Sequence, residues 1–394
     1  MNTLQVQFRI VTPLFMGGAS PDERAELREP SIKGLLRYWY RAIDPTAYRD
    51  NEARIFGGSG RNEGQSSFLL RVKGPRHDVR SWQTKIPAGI KYFSFPFKMK
   101  PNDKKYIPED QNVTLTLMFK RPPATQDRYR ILASLWLLGH VGGLGSRSRR
   151  GFGTVALQSW QITQGSVWDE LNKLDLVHEA NSPATWMDVF EKNLVTMRSW
   201  FPGCNNFDHL TFGRNTRFKL IDTPNKDWRT ALNHIGEHMQ TYRQRYSLED
   251  PGSDYHRVKA HVCHRDTQAN QINTSSAHPI TPARLSIAPH RIAFGLPLTM
   301  RYSSLKYLNK KGDSITPGVT FKGNKDTHDR SASRIFIRII AINSHYYPLV
   351  SQFDGPLLSN GEKIKDEHGS YSVPPDSILD EFWNSLPEGK EITW

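Results

Sequence analysis

Disulfide chemistry has almost nothing to work with in this chain: its 394 residues include 2 cysteines, Cys204 and Cys263. One pair cannot build the multi-bridge framework of a small secreted domain, so a reducing, cytoplasmic setting is expected. Long apolar runs are missing too. No stretch approaches the ~20 residues that a bilayer-spanning helix needs, and the opening ten residues are too polar for a signal peptide. Disorder is excluded from the other direction, because 23% charged and 11% aromatic residues suit packed cores. The length fits roughly two to three domains.

Acidic residues are the remaining shortage, with 39 Asp+Glu against 53 Lys+Arg and a net charge of +14. The shortage is local. Residues 1–160 hold 26 Lys+Arg and 13 Asp+Glu, a net of +13, whereas the other 234 hold 27 and 26, a net of +1. A domain border near 160 is therefore expected, giving domains 1–160 and 161–394. A basic domain joined to a neutral one fits a polyanionic partner such as nucleic acid, since neutralising phosphates releases counterions. A generally basic surface fits the charge equally well, so the motifs must decide.

Residues 4–10 alternate apolar and polar, the period of a half-buried strand, and Thr12-Pro13 ends it. A helix is expected from Pro30-Ser31 to about Ile43, because proline suits the first helical turn. Its Ile32, Leu35, Leu36, Trp39 and Ile43 recur at three- and four-residue spacing. Residues 67–72 and 113–119 read as strands, with a basic, proline-broken insertion at 85–105 between them. Residues 130–140 read as a buried helix and 154–160 as a closing strand. The order β-α-β-β-α-β is the ferredoxin-like unit, which RNA-recognition modules share.

Two basic elements stand out. Lys33, Arg37 and Arg41 lie four residues apart on the first helix, forming one cationic stripe. No Asp or Glu occurs between Ser31 and Ile43, so the stripe reads as unpaired and self-repelling. An ordinary solvated helix face is the bland alternative. The second element is Gly142-Gly143-Leu144-Gly145-Ser146-Arg147-Ser148-Arg149-Arg150-Gly151-Phe152-Gly153. Its glycines allow backbone N–H groups to approach phosphate oxygens, and its arginines and serines add charge and donors. It is not an NTPase phosphate loop, since no Lys-Ser/Thr opens a following helix.

The segments Thr12-Pro13-Leu14-Phe15-Met16-Gly17-Gly18-Ala19 and Glu29-Pro30-Ser31-Ile32-Lys33-Gly34-Leu35-Leu36-Arg37-Tyr38-Trp39-Tyr40-Arg41-Ala42 resemble the RAMP superfamily of CRISPR systems. The nearest likeness is to the large double-domain RAMP subunit of type III-B (Cmr) effector complexes. The glycine-rich loop sits where that superfamily places its signature loop. Phe294-Gly295-Leu296-Pro297-Leu298, Arg330-Ser331-Ala332-Ser333-Arg334 and Tyr346-Tyr347-Pro348 are looser likenesses, and Arg334 stands where the family usually has proline. The resemblance implies an α+β chain of two ferredoxin-like domains, the second degenerate and carrying insertions. It also implies a non-catalytic role in a cytoplasmic ribonucleoprotein of antiviral defence, with guide RNA, target RNA and other RAMP subunits as partners. The expected RNA-binding residues are Gly17, Gly18, Lys33, Arg37, Arg41, Gly143, Gly145, Ser146, Arg147, Arg149, Arg150, Arg330 and Arg334, with no cofactor or metal.

In the second half, pattern alone supports a mixed α+β arrangement. A strand pair or one long strand is expected at 211–221, strands at 292–302, 333–342 and 346–350, helices at 227–246 and 377–386, and an irregular polar insertion at 247–290. Arg330 and Arg334 extend a basic groove or guard an edge strand. His256, His261, Cys263 and His264 cluster, but their spacing matches no paired-cysteine or finger pattern, so they read as surface or partner contacts. His140, just before the loop, is either a general base toward a ribose hydroxyl or a cap on the last free helix carbonyls. Three readings remain: an RNA-binding subunit, a metal-independent endoribonuclease using His140, and an assembly subunit with little RNA affinity.

Overall fold

The computed structural model describes residues 2–18, 23–61, 63–75, 80–82, 86–98, 104–201, 209–244, 253–267, 281–305, 307–308, 314–323 and 329–394. These fall into two compact units. The first comprises Met1–Glu237, Ile335–Gly355 and Pro387–Trp394; the second comprises His238–Arg334 and Pro356–Leu386.

The first unit holds two four-stranded antiparallel sheets. One is built from β1 (Asn2–Ile10), β2 (Phe68–Lys73), β3 (Asn112–Phe119) and β4 (Val155–Gln164), in the order β2-β3-β1-β4. Helices α1 (Glu29–Ile43), α2 (Tyr48–Phe56) and α3 (Thr125–His140) complete this repeat. After α4 (Pro183–Trp200) comes the second sheet: β5 (Arg217–Ile221), β6 (Ile335–Ile342), β7 (His345–Gln352) and β8 (Gly389–Thr393), in the order β6-β7-β5-β8. Helix α5 (Trp228–Gln244) follows β5, and helix Ser377–Asn384 precedes β8. The first repeat thus reads β-α-β-β-α-β, the ferredoxin-like order, and both sheets have their first and third strands central; helix Ser377–Asn384, next before β8 in the chain, belongs to the second unit. The second repeat keeps its strand order but is opened twice by chain belonging to the other unit.

Alternation sets the register. Leu4, Val6, Phe8 and Ile10 are buried on β1, where Leu4 faces Leu117 and Val6 faces Leu115. A one-residue slip would turn this whole set to solvent. On α1 the buried residues are Ile32, Leu36, Trp39, Tyr40, Ala42 and Ile43, the large ones contributing about 1.5–3 kcal/mol each. Trp39 meets Phe336 of β6 edge-on at 6.0 Å and Phe353 at 5.8 Å, so one core cluster includes residues of both sheets.

Several expectations change. The strand expected at 211–221 begins only at Arg217, because Gly213 and Thr216 close a turn on each other. The strand expected at 292–302 is a 3₁₀ turn, His290–Phe294, followed by strand Leu298–Arg301; Gly295 at φ 116° separates them. The insertion at 247–290 contains helix Asp254–Thr267, whose Val258 and Val262 anchor the apolar core of the second unit; residues 247–252 and 268–280 lie outside the described residues. Within 85–105, helix Ala88–Phe93 and turn Phe95–Lys98 are formed, while 85 and 99–103 lie outside. Helix α2 and helix α4 were not anticipated, although Ser182-Pro183 is an N-terminal signal: the Ser182 hydroxyl accepts from Thr185 N–H at 3.1 Å. Among the described residues no helix is long and apolar enough to cross a membrane.

Candidate nucleic-acid interface

The glycine-rich loop bridges α3 and β4, and it rests on the Thr12–Gly18 segment. Ser146 N–H donates to the Phe15 carbonyl at 2.7 Å and Gly153 N–H to the Pro13 carbonyl at 2.8 Å. Thr12 Oγ1 donates to the Gly151 carbonyl at 2.7 Å and accepts from Thr154 N–H at 2.9 Å. Two motifs far apart in sequence are therefore one structural element. Gly145 takes φ 78°, and a side chain there would place its Cβ 2.3 Å from the Phe15 carbonyl oxygen. Gly143 is buried, its missing Cβ 2.9 Å from the Gly153 carbonyl oxygen.

Part of the expected backbone cradle is spent on the fold. N–H groups of Gly142, Leu144, Ser146, Arg150 and Gly153 all donate to backbone carbonyls. What the loop offers outward is side chains. Ser146 and Arg147 are exposed, and Arg147 takes φ 63°, a left-handed conformation held by the turn in which Arg150 N–H reaches its carbonyl at 2.8 Å. Arg149 lies over the rings of Tyr38 (5.3 Å) and Phe336 (4.9 Å), a cation–π arrangement. Arg150 Nη1 donates to the Ile335 carbonyl at 3.3 Å. The three arginines thus differ: one projects, one stacks and one ties the loop to β6.

The helix stripe is paired, contrary to expectation. Glu52, on the unanticipated α2, accepts from Arg41 Nε at 2.5 Å and Nη2 at 2.6 Å and lies 3.9 Å from Arg37 Nε. Arg37 also donates to the carbonyls of Phe56 (2.7 Å) and Gly57. Between Ser31 and Ile43 the helix carries no acid of its own, and its neighbour supplies one. Lys33 has no carboxylate partner among the described residues; its Nζ sits 4.8 Å over the Phe68 ring, and burial together with Arg37 pulls its pKa down.

The other expected residues scatter. Gly17 bridges Ala25, and Gly18 lies against the Glu26 carboxylate, the wrong charge for a phosphate. Arg330 is exposed, 4.0 Å from Asp329. Arg334, in the second unit, is buried and forks onto Asp376 at 2.9 and 2.5 Å; that carboxylate is held below its usual range chiefly by this hydrogen bond. His261 donates to Asp366 at 2.9 Å while its Nδ1 accepts from Leu285 N–H, and Cys263 is buried, so these two residues of the histidine cluster serve the core of the second unit.

His140 is buried, its Nδ1 donating to the Trp136 carbonyl at 2.8 Å and its ring stacked 4.0 Å from Trp136. Burial pushes its pKa down to about 3. The residue that sequence reading missed is Arg338. It sits mid-strand on β6 and donates to the carbonyls of Gly142 (2.7 Å), Val155 (2.6 Å), Leu138 (3.5 Å) and Gly139. Burial lowers its pKa to about 9, so it stays charged at neutral pH. An arginine in an otherwise apolar strand, Ile-Phe-Ile-Arg-Ile-Ile, was the available signal.

Comparison with known proteins agrees with this geometry. The RAMP superfamily model matches residues 7–156, which run from the second half of β1 through the helix stripe and the glycine-rich loop. The CRISPR system Cmr subunit Cmr1-2 of Pyrococcus furiosus is 30% identical over 178 residues, 38% of this chain and 91% of that protein. The crystal structure of apo Cmr1 from Pyrococcus furiosus shares the fold at a TM-score of 0.56 and 18% identity, covering 99% of this chain and 98% of that one. A chain of the type III-B Cmr-β assembly, solved with cognate target RNA and AMPPnP in the presence of single-stranded DNA, gives a TM-score of 0.50 at 13% identity, covering 98% and 100%. With a relative of that identity matched over nearly its whole length and the superfamily model lying across the loop and its supports, this chain belongs to the Cmr1 family of the RAMP superfamily.

Proposed function

We propose that this chain is a non-catalytic RNA-binding subunit of a cytoplasmic type III-B ribonucleoprotein, holding the 3′ region of guide RNA and helping to capture target RNA alongside other RAMP subunits. The observation that carries the reading is the loop at 142–153. Its base is fixed by buried hydrogen bonds to Pro13, Phe15 and Thr12, while Ser146 and Arg147 remain outside. The basic excess of residues 1–160 supplies the surrounding field. The Cmr-β assembly that contains a chain of this fold was solved with target RNA bound. Phosphate contacts of this kind position a strand and carry no base preference.

Single-stranded RNA binding at two salt concentrations, in chelator, tests this reading. Wild type binds and leaves the RNA intact. Arg147→Ala weakens binding and flattens the slope of log affinity against log salt by roughly 0.7. Equal binding by the variant overturns the role given to the loop. Cleaved RNA overturns the non-catalytic assignment. The geometry of His140 does not favour cleavage, since a base with a pKa near 3 is poorly matched to proton abstraction at neutral pH.

A further inference from the structure

A cleft opens on the same repeat, away from the glycine-rich loop, and Lys33 of the helix stripe is one of its lining residues. It encloses about 620 Å³ between the end of α2, the turn that follows, and the start of β2, a size that holds a small molecule. The turn is built rather than slack. Gly57 takes φ 83°, Gly58 N–H donates to the Gly64 carbonyl at 3.0 Å, and the Ser66 and Ser67 hydroxyls donate to the Ile55 carbonyl at 3.0 and 3.1 Å.

Two ammonium groups line this cleft. Lys33 enters from α1, half-buried, with the Phe68 carbonyl at 3.5 Å as its polar contact. Lys120, just past β3 and exposed, donates to Gln65 Oε1 at 3.1 Å. No carboxylate lines the cleft among the described residues. Of the nearby acids, Glu52 is held by Arg41 and Arg37, whereas the Glu63 carboxylate, which accepts from the Gly60 N–H at 2.8 Å, lies against the lining residue Gly58 and so borders the cleft. Arg37, one turn along, adds charge while its guanidinium holds the Phe56 carbonyl. Leu69, 57% exposed on the outward face of edge strand β2, forms an apolar wall.

Two cations and an exposed apolar wall define a recognisable ligand chemistry. We propose that this cleft binds one nucleotide, its phosphate between Lys33 and Lys120 and its base against Leu69. The nucleotide belongs either to a single-stranded RNA or to a free nucleoside monophosphate. Where it belongs to RNA, the inference rests on the RNA-binding reading and adds a second phosphate position independent of Arg147. An arriving phosphate relieves the unpaired, partly desolvated Lys33 ammonium, which is the physical reason for affinity.

The test uses the full chain, with Lys120→Gln as the surface variant and Lys33→Met as the variant that keeps the stem on Phe68. End-labelled single-stranded RNA is titrated by anisotropy, and adenosine 5′-monophosphate and adenosine by calorimetry. The expected result is RNA binding weakened about three- to tenfold by Lys120→Gln, with the salt slope flattened by roughly 0.7 and the loss additive with Arg147→Ala. If RNA binding is unchanged but the monophosphate binds, adenosine does not, and Lys120→Gln removes the heat, the site stands with a free nucleotide as its ligand. If wild type binds RNA and both variants match it while the monophosphate gives no heat, the cleft proposal is overturned and the loop reading survives. If Lys33→Met does not fold, Lys120→Gln alone decides between these results. If wild type binds neither RNA nor monophosphate, both proposals fall.

Discussion

Replacing Arg338 by methionine perturbs the loop from its concealed side. The guanidinium spans carbonyls of Leu138 and Gly139 in the last turn of α3, Gly142 at the loop entry and Val155 at the start of β4. A helix C-terminus leaves such carbonyls without intrahelical partners, and the helix dipole favours a cation there. Hydrogen bonds from a charged donor contribute about 1.5–3 kcal/mol each, but removing the charge also relieves a desolvation penalty of several kcal/mol. The surplus is therefore smaller than the sum of the bonds. The carbonyls left without a donor decide the sign, and a net loss of about 1–3 kcal/mol follows. That is a measurable part of a typical domain stability of roughly 5–15 kcal/mol.

Urea unfolding followed by tryptophan fluorescence measures this loss directly. Methionine keeps much of the volume, so cavity effects stay small, and Arg338→Lys should fall between wild type and Arg338→Met because one ammonium cannot span both sides of the fork. The RNA affinity of Arg338→Met is expected to drop even where the protein is still folded, since the loop entry is no longer pinned. An Arg338→Met protein within 1 kcal/mol of wild type, with unchanged RNA affinity, would refute the reasoning.

Further expectations concern the loop and the buried ionisable groups. Gly145→Ala forces a left-handed residue into contact with the Phe15 carbonyl; it should destabilise by at least 1 kcal/mol, on the order of a strained backbone position, and be visible as a lowered urea midpoint. Arg147→Ala should leave that midpoint unchanged while weakening RNA binding, whereas Arg149→Ala should lower it, because Arg149 packs on Tyr38 and Phe336. His140 has a folded pKa near 3, below its unfolded value. Its contribution to stability is complete above the unfolded pKa of about 6.5 and declines as pH falls toward 3, amounting to about 2 kcal/mol lost by pH 5. His140→Gln should flatten that part of the stability profile, measured by urea titration at pH 5 and pH 7.5. Asp376→Asn should destabilise the second unit by removing the carboxylate onto which the buried Arg334 forks, and hydrogen exchange of helix Ser377–Asn384 reports it.

Local chemistry was legible in the sequence wherever a period or a turn residue dictates the backbone. The alternation of β1, the stripe of α1, the apolar α3 and the glycines of the loop follow from steric rules that act over a few residues. The family likeness of Thr12–Ala19 and of the loop was legible too, as was the ferredoxin-like order of the first repeat. What no local rule contains is who meets whom. Pairing of Arg41 and Arg37 with Glu52 depends on α2 folding back beside α1. The joining of the Thr12 segment to the loop depends on hydrogen bonds across nearly 140 positions of sequence, as |i−j| = 139 for Thr12 and Gly151 shows. The capture of α3 by Arg338 spans 200 positions. An isolated helix presents Lys33, Arg37 and Arg41 as equals, and an isolated loop presents Arg147, Arg149 and Arg150 as equals. Tertiary packing makes them different, because a carbonyl, a carboxylate or an aromatic face brought within a few ångströms commits one cation to the fold and leaves its neighbour outside.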